Sequence, residues 1–524
     1  MNKYDINQLS LDQKIGQLFM FGFDATEIDD HAIKLIKEYK AGNVILFARN
    51  VKSSKQLFEL NQNLQKLAKE SIGIPLFIGI DQEGGMVTRI HQGSTFFPGA
   101  MTIAASNQLE NAYWVGKMMG LELKHLGVNM NFAPVLDVNN NPKNPVIGVR
   151  SFSDNPQMVA NYGVAFIEGL QENIIATGKH FPGHGDTQVD SHLALPRVSY
   201  QMNRLNKIEL VPFKKAIYGG IKAIMSSHID FSALTEDGLP TTLSKKCLTD
   251  FLRKELNFKG LIATDGMQMK AIQDNYTTVG ASVMAINAGA NVVMICHSEE
   301  LQIEAIKRVK EAVLNNELPI ELINERVERV LKYKSELNNL DLTISYESVK
   351  DFIENQTTKN VSYQIIKQAA TLVKGEPLKL VNHALFIGVL PKATTIADET
   401  DGQHSVIKQI RSELPNLNTM TSSIDPSSEE IKEIIKNAKK YKQVILTTYN
   451  ANIYQSQIEL VKELARENID LHIIAMRNPY DLFFTKKIKN FVCLYEYTPN
   501  SIRVLIEYLK GDVPLDGKLP VHYE

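Results

Sequence analysis

Cysteine is almost absent from this chain: Cys247, Cys296 and Cys493 are the three in 524 residues, far apart and without a CxxC spacing. A disulfide framework and a thiolate metal site are both excluded by that count and spacing. Charge of one sign is lacking too. The formal balance of −2 and a pI near 6.7 leave no global basic field, so neither nucleic acid nor an anionic membrane surface is expected as principal partner. No segment offers ~20 consecutive apolar residues. The first residues, "MNKYDINQLSLDQKIGQLFMFGF", place Asp12, Gln13 and Lys14 where a signal peptide needs an apolar run, and a cytoplasmic, soluble protein is the expectation. Internal repeats and low-complexity tracts are missing as well, and the last third of the chain has no GxGxxG or P-loop signature, which leaves no recognisable nucleotide site there.

What the chain has is a 44% hydrophobic content with 22% charged residues, enough for a sizeable core and too much for wholesale disorder. Its length exceeds one ordinary domain of ~100–200 residues, so two domains are expected. Short apolar runs recur along the first two-thirds: "QLFMFGF" (17–23), "GNVILFA" (42–48), "PLFIGID" (75–81), "NMNFAPVLDV" (129–138), "IIATGKH" (174–180), "IKAIMSSHI" (221–229), "GLIATDGM" (260–267) and "ANVVMICH" (290–297). Amphipathic stretches such as 53–71 and 155–173 lie between them, as crossover helices of a parallel sheet must. Eight β/α units predict a (β/α)8 TIM-type barrel over residues 1–339, with a doubly wound sheet as the alternative. The helical segment 320–337 closes it, and the polar stretch 338–361 reads as a linker, giving a linker and connecting helix over 340–375. Four more apolar runs (384–390, 442–450, 470–478, 490–497), separated by helical stretches at 427–441 and 454–468, predict a smaller α/β sandwich over 376–524.

Polar residues sit at or just beyond the C-terminal ends of these runs: Asp81, Asp137, Lys179, His180, His228, Asp265 and His297. A polar residue after a strand is ordinarily a turn former or a helix cap. Repetition over several strands points instead to the face where a barrel builds its active site. Asp265 in "ATDGMQM" is the best nucleophile candidate, with Gly266 leaving room for close approach. Asp81 in "IDQEGGMVTRI", with Arg89 after it, and Arg150 in "GVRSF" suit a polyhydroxylated or carboxylate-bearing ligand, or else form internal ion pairs. Glu83 and Asp137 fit either ligand contact or support. The segment "GKHFPGHGDTQVDSHLALP" (178–196) has two readings. His180, His184 and Asp186 could ligate a divalent metal for a metal-dependent hydrolase. Alternatively an Asp/His pair, His184 with Asp186 or Asp190 with His192, could serve in acid–base chemistry.

"KHFPGHGDTQVDSHLALPRV", with "IDQEGG" upstream and "TDGMQM" downstream, resembles the glycoside hydrolase family 3 β-N-acetylglucosaminidases of the cell-wall recycling type. The ending "PLDGKLPVHYE" is similar to the longer, two-domain Gram-positive form. The resemblance implies a retaining exo-glycosidase without cofactor or metal, acting on peptidoglycan fragments of the GlcNAc–MurNAc type. It implies Asp265 as nucleophile, His192 as acid/base with Asp190 as its partner, and Asp81, Arg89, Arg150, Lys179 and His180 as substrate contacts. His184 and Asp186 would then shape the loop. The Asp-Ser-His segment argues against the family's β-glucosidases and β-xylosidases. A glycoside phosphorylase of the same fold is the alternative, since a His acid/base tolerates phosphate better than a carboxylate does.

Overall fold

The computed structural model describes residues 4–187, 195–236, 238–337, 341–391, 405–484 and 488–522. Eight strands close into a barrel: β1 (Phe19–Phe21), β2 (Asn43–Leu46), β3 (Phe77–Ile80), β4 (Met130–Asn131), β5 (Ile175–Phe181), β6 (Ala223–Ser226), β7 (Leu261–Gly266) and β8 (Val292–Ile295). Each neighbours the next in sequence, all pairs are parallel, and β8 returns to β1 with Phe19 opposite Val293. Parallel strands under a helical ring are buried on both faces, which is why they appear in the sequence as unbroken apolar runs. The run at 129–138 is the exception. Its strand stops at Asn131 because Pro134 has no amide to donate, yet the segment still tracks β5 through Lys179 N–H to the Pro134 carbonyl (3.2 Å) and Leu136 N–H to the Lys179 carbonyl (2.6 Å).

The crossover helices start where their caps place them. Ser53 accepts from the Gln56 amide ahead of the helix Ser54–Ser71. Asn155 caps Pro156–Gln171, with Pro156 in the first turn, where its missing N–H costs nothing. The polar stretch read as a linker carries two helices, Tyr346–Ile353 and Gln356–Ala369. They dock on the barrel through Tyr346 Oη to Ser54 Oγ (2.7 Å) and Ser362 Oγ to the Phe96 carbonyl (2.6 Å).

Apart from a short parallel pair, Arg197–Val198 with Asp230–Phe231, the remaining strands form a second sheet: β9 (Thr371–Lys374), β10 (Ala384–Val389), β11 (Asn418–Ser422), β12 (Gln443–Thr448), β13 (Asp470–Ala475) and β14 (Asn490–Cys493). Its order is β9-β14-β13-β12-β10-β11, parallel except for the β9/β14 pair. Alternation along β10 divides two cores. Leu385 and Ile387 face Ile431, Ile434 and Leu460, whereas Phe386 faces Val406, Ile502 and Leu505. The result is a three-layer α/β sandwich. The two strands that sequence reading missed, β9 and β11, are its edges, partly exposed and polar, without the apolar run that marks an interior strand. Among the described residues no helix is long and apolar enough to cross a membrane.

Candidate active site

The C-terminal ends of the barrel strands surround a cavity of about 370 Å³ lined by Asp81, Arg89, Arg150, Lys179, His180, His184 and Asp265. Of the other strand-end and loop candidates, His297 also lines this pocket, whereas Glu83, Asp137, Asp186 and His228 do not. Asp190 and His192 lie outside the described residues.

A buried charge network forms one wall. Lys179, 2% exposed, donates to Asp81 Oδ1 (2.6 Å) and Glu83 Oε1 (2.7 Å). Arg150 grips the same Glu83 through two parallel bonds, Nη2 to Oε1 at 2.7 Å and Nε to Oε2 at 2.9 Å, the strong fork geometry of a guanidinium on a carboxylate. Burial alone would raise the Glu83 carboxyl, but Arg150 and Lys179 outweigh it and hold the group well below the usual carboxylate range. Glu83, whose role the sequence left open, is thus the hinge-pin between the two cations. Asp81 and Glu83 are two residues apart on extended chain beyond β3, so both side chains reach the same partner.

A second wall is built on Asp137. Its Oδ2 meets His180 Nδ1 at 2.7 Å, and its Oδ1 accepts the His180 and His184 amides at 3.1 and 2.7 Å. Burial opposes ionisation of Asp137, and the flanking histidines overcome it and lower its pKa. His184 Nδ1 faces Thr187 Oγ1 (2.8 Å); burial and the neighbouring His180 depress its pKa to about 4, so it stays neutral near pH 7. Asp186 turns away to Arg204 (3.3 Å). The metal reading needed His180, His184 and Asp186 to converge, and each faces a different partner. Among the described residues no three His, Cys, Asp or Glu groups are placed to hold a metal ion.

Asp265 stands at the end of β7 with Oδ1 accepting the Gly266 amide (2.7 Å). The Gly266 carbonyl is held by the Nε2–H of His228 at 3.0 Å, so His228, also flagged at a strand end, fixes the peptide that follows Asp265 instead of lining the cavity. The lining also has apolar members, Ile45, Phe47, Met225 and Met294, the last two on the strands that flank β7. His297 stacks on Phe47 with ring centroids 5.6 Å apart, and burial lowers its pKa. Ile45, Phe47, Met225 and Met294 obey the same strand-end rule as the titratable groups, but an apolar side chain at a strand end does not stand out from the core residues around it in the sequence. Chemically, the pocket offers a carboxylate at the end of β7, paired acids and cations able to bind hydroxyls, and an apolar face for ring C–H groups.

Residues 10–333 match the glycosyl hydrolase family 3 N terminal domain. The β-hexosaminidase A of Pseudoalteromonas piscicida is 35% identical over 370 residues, 66% of this chain and 61% of that protein, so the chain spans less than two thirds of that relative's length. The β-hexosaminidase of Nitrosomonas eutropha is 38% identical over 266 residues, 49% of this chain and 74% of its own length. Among solved structures, a glycoside hydrolase family 3 β-N-acetylglucosaminidase from Paenibacillus sp. superposes with a TM-score of 0.91 at 36% identity, covering 98% of this chain and 99% of that one. With its barrel matched from end to end and its strand-end carboxylates gathered in one pocket, the chain belongs to glycosyl hydrolase family 3.

Proposed function

We propose that the chain is a retaining exo-β-N-acetylglucosaminidase that releases terminal GlcNAc from peptidoglycan fragments of the GlcNAc–MurNAc type. The observation that carries this reading is the pocket that Asp265 shares with Asp81, Lys179 and Arg150, the last two held together by Glu83. Asp265 attacks the anomeric carbon and forms a covalent glycosyl-enzyme. His192, paired with Asp190, protonates the leaving oxygen and then deprotonates the water that releases the sugar. Asp81, Lys179 and His180 bind ring hydroxyls, while Arg150 and Arg89 engage the polar substituents. Retaining glycosidases ordinarily use a second carboxylic acid in the role given to His192; a neutral imidazole adds no further negative charge beside Asp265. The β-hexosaminidase names of the relatives and the "KHFPGHGDTQVDSH" segment support the acetamido sugar over glucose.

The test is release of chromophore from an aryl β-N-acetylglucosaminide beside the matching β-glucoside, with and without phosphate. Selective cleavage of the acetamido sugar, reduced about 10⁴-fold or more by Asp265→Ala, is the expected result. Preference for the glucoside or full activity of Asp265→Ala would overturn the reading. A sugar 1-phosphate product formed only with phosphate would assign phosphorolysis instead.

A further inference from the structure

Among the described residues the second sheet domain contributes none to the pocket lining, yet it grips both halves of the Glu83–Arg150 pair. Met86, three residues after Glu83, and Val149, next to Arg150, are counted in the sandwich's own apolar core with Leu446, Tyr449 and Phe491. Two polar struts accompany them. In the first, Tyr480 Oη accepts from Asn139 Nδ2 (2.7 Å), and Asn139 Oδ1 accepts the Gly148 amide (3.1 Å), at the start of the short turn Gly148–Arg150. In the second, Glu496, 1% exposed, accepts from the Gly99 amide (3.0 Å), Thr102 Oγ1 (2.7 Å) and Thr498 Oγ1 (2.8 Å). Its carboxylate lies so near the Glu83-Gly84-Gly85 turn that a Cβ on Gly85 would come within 3.3 Å of Oε2. The two barrel loops that present the pair thus meet the pocket on one side and the sandwich on the other.

We propose that Tyr480 and Glu496 are positioning residues, through which the second domain sets the register of Arg150 and Glu83 and so the binding of substrate. Each holds the barrel side by direct hydrogen bonds, and binding geometry held to a fraction of an ångström requires such support. The effect on catalysis rests on the glycosidase reading given above; the effect on the loop does not.

The test compares Tyr480→Phe and Glu496→Gln with Tyr508→Phe in the full chain. Phe at 480 keeps the ring and removes the acceptor. Gln at 496 keeps the shape but offers a single carbonyl oxygen to donors that now occupy two. Tyr508, whose Oη accepts the Leu378 amide at 3.1 Å inside the sandwich, controls for a buried hydrogen bond lost far from the barrel loops. Expected for the first two variants is a rise in KM for the aryl β-N-acetylglucosaminide of about five- to tenfold with kcat changed less than about twofold. Amide hydrogen exchange at Gly148 and Arg150 should be faster in Tyr480→Phe than in the control. A KM equal to that of Tyr508→Phe, or exchange no faster than in it, overturns the proposal. Faster exchange in a protein whose wild type leaves the substrate uncleaved would uphold the strut and refute the glycosidase reading instead.

Discussion

Replacing Glu83 by Gln removes the one carboxylate on which Arg150 and Lys179 both converge, while leaving its volume unchanged. Side-chain exposures of 7% for Glu83, 5% for Arg150 and 2% for Lys179 put all three out of bulk water. Lys179 keeps Asp81 at 2.6 Å, so the uncompensated charge is chiefly that of Arg150. Breaking one partner of a buried pair costs about 3–5 kcal/mol, and the carboxamide still accepts one bond, which places the variant near the lower figure. At about 2 °C per kcal/mol for a large domain, the melting temperature should fall by roughly 6 °C. If the whole penalty appeared in transition-state binding, kcat/KM would fall about a hundredfold. The pH dependence has a defined sign. A carboxylate depressed in the fold contributes stability that is fully present above its ordinary value of 4.5 and is lost as pH falls through the folded value. The deficit of Glu83→Gln should therefore be constant from pH 5 to 8 and shrink only below about 4.5. The assays are thermal unfolding across that range and steady-state kinetics on the aryl substrate. A variant with wild-type KM and an unchanged melting temperature would refute the account of Glu83 as the group that fixes both cations.

Glu122, 3% exposed, behaves oppositely: burial, only partly offset by the Thr95 amide, raises its pKa from 4.5 to about 8. A carboxyl raised in the fold contributes stability below its ordinary pKa and loses it as pH climbs through the folded value, a span corresponding to at most about 5 kcal/mol. Glu122→Gln should gain on the wild type by about 2–3 kcal/mol between pH 5 and pH 8, measured by denaturant unfolding; an advantage equal at both pH values would count against it. Gly148 has φ +48°, and a Cβ there would lie 2.7 Å from Asn478 Oδ1. Gly148→Ala should raise KM about tenfold through displacement of Arg150, and an unaltered KM would show that this turn tolerates the shift.

How much of this could be read from the chain depends on how far apart the interacting groups stand. Eight barrel strands announced themselves because each is buried on both faces, and the polar residues at their ends followed from the barrel's geometry. Lys179 and His180 belong to one contiguous motif, and Asp81 lies two residues from Glu83, so local pattern brought them forward as candidates. The bond between Glu83 and Arg150 spans 67 positions, and that between Asn139 and Tyr480 spans 341. No local pattern encodes either: Glu83 offered two equal readings, and Tyr480 lies on a short turn of the second domain with nothing to single it out. The polar stretch 338–361 gave no local sign of the helix at 346–353 for a related reason, since that helix and the one at 356–369 are held by partners in the barrel, Ser54 and the Phe96 carbonyl. The sequence motif therefore specifies which groups are available for glycoside chemistry, whereas their spacing is imposed by contacts across the whole chain. That division makes a variant at Tyr480, outside every motif, the sharper probe of Arg150.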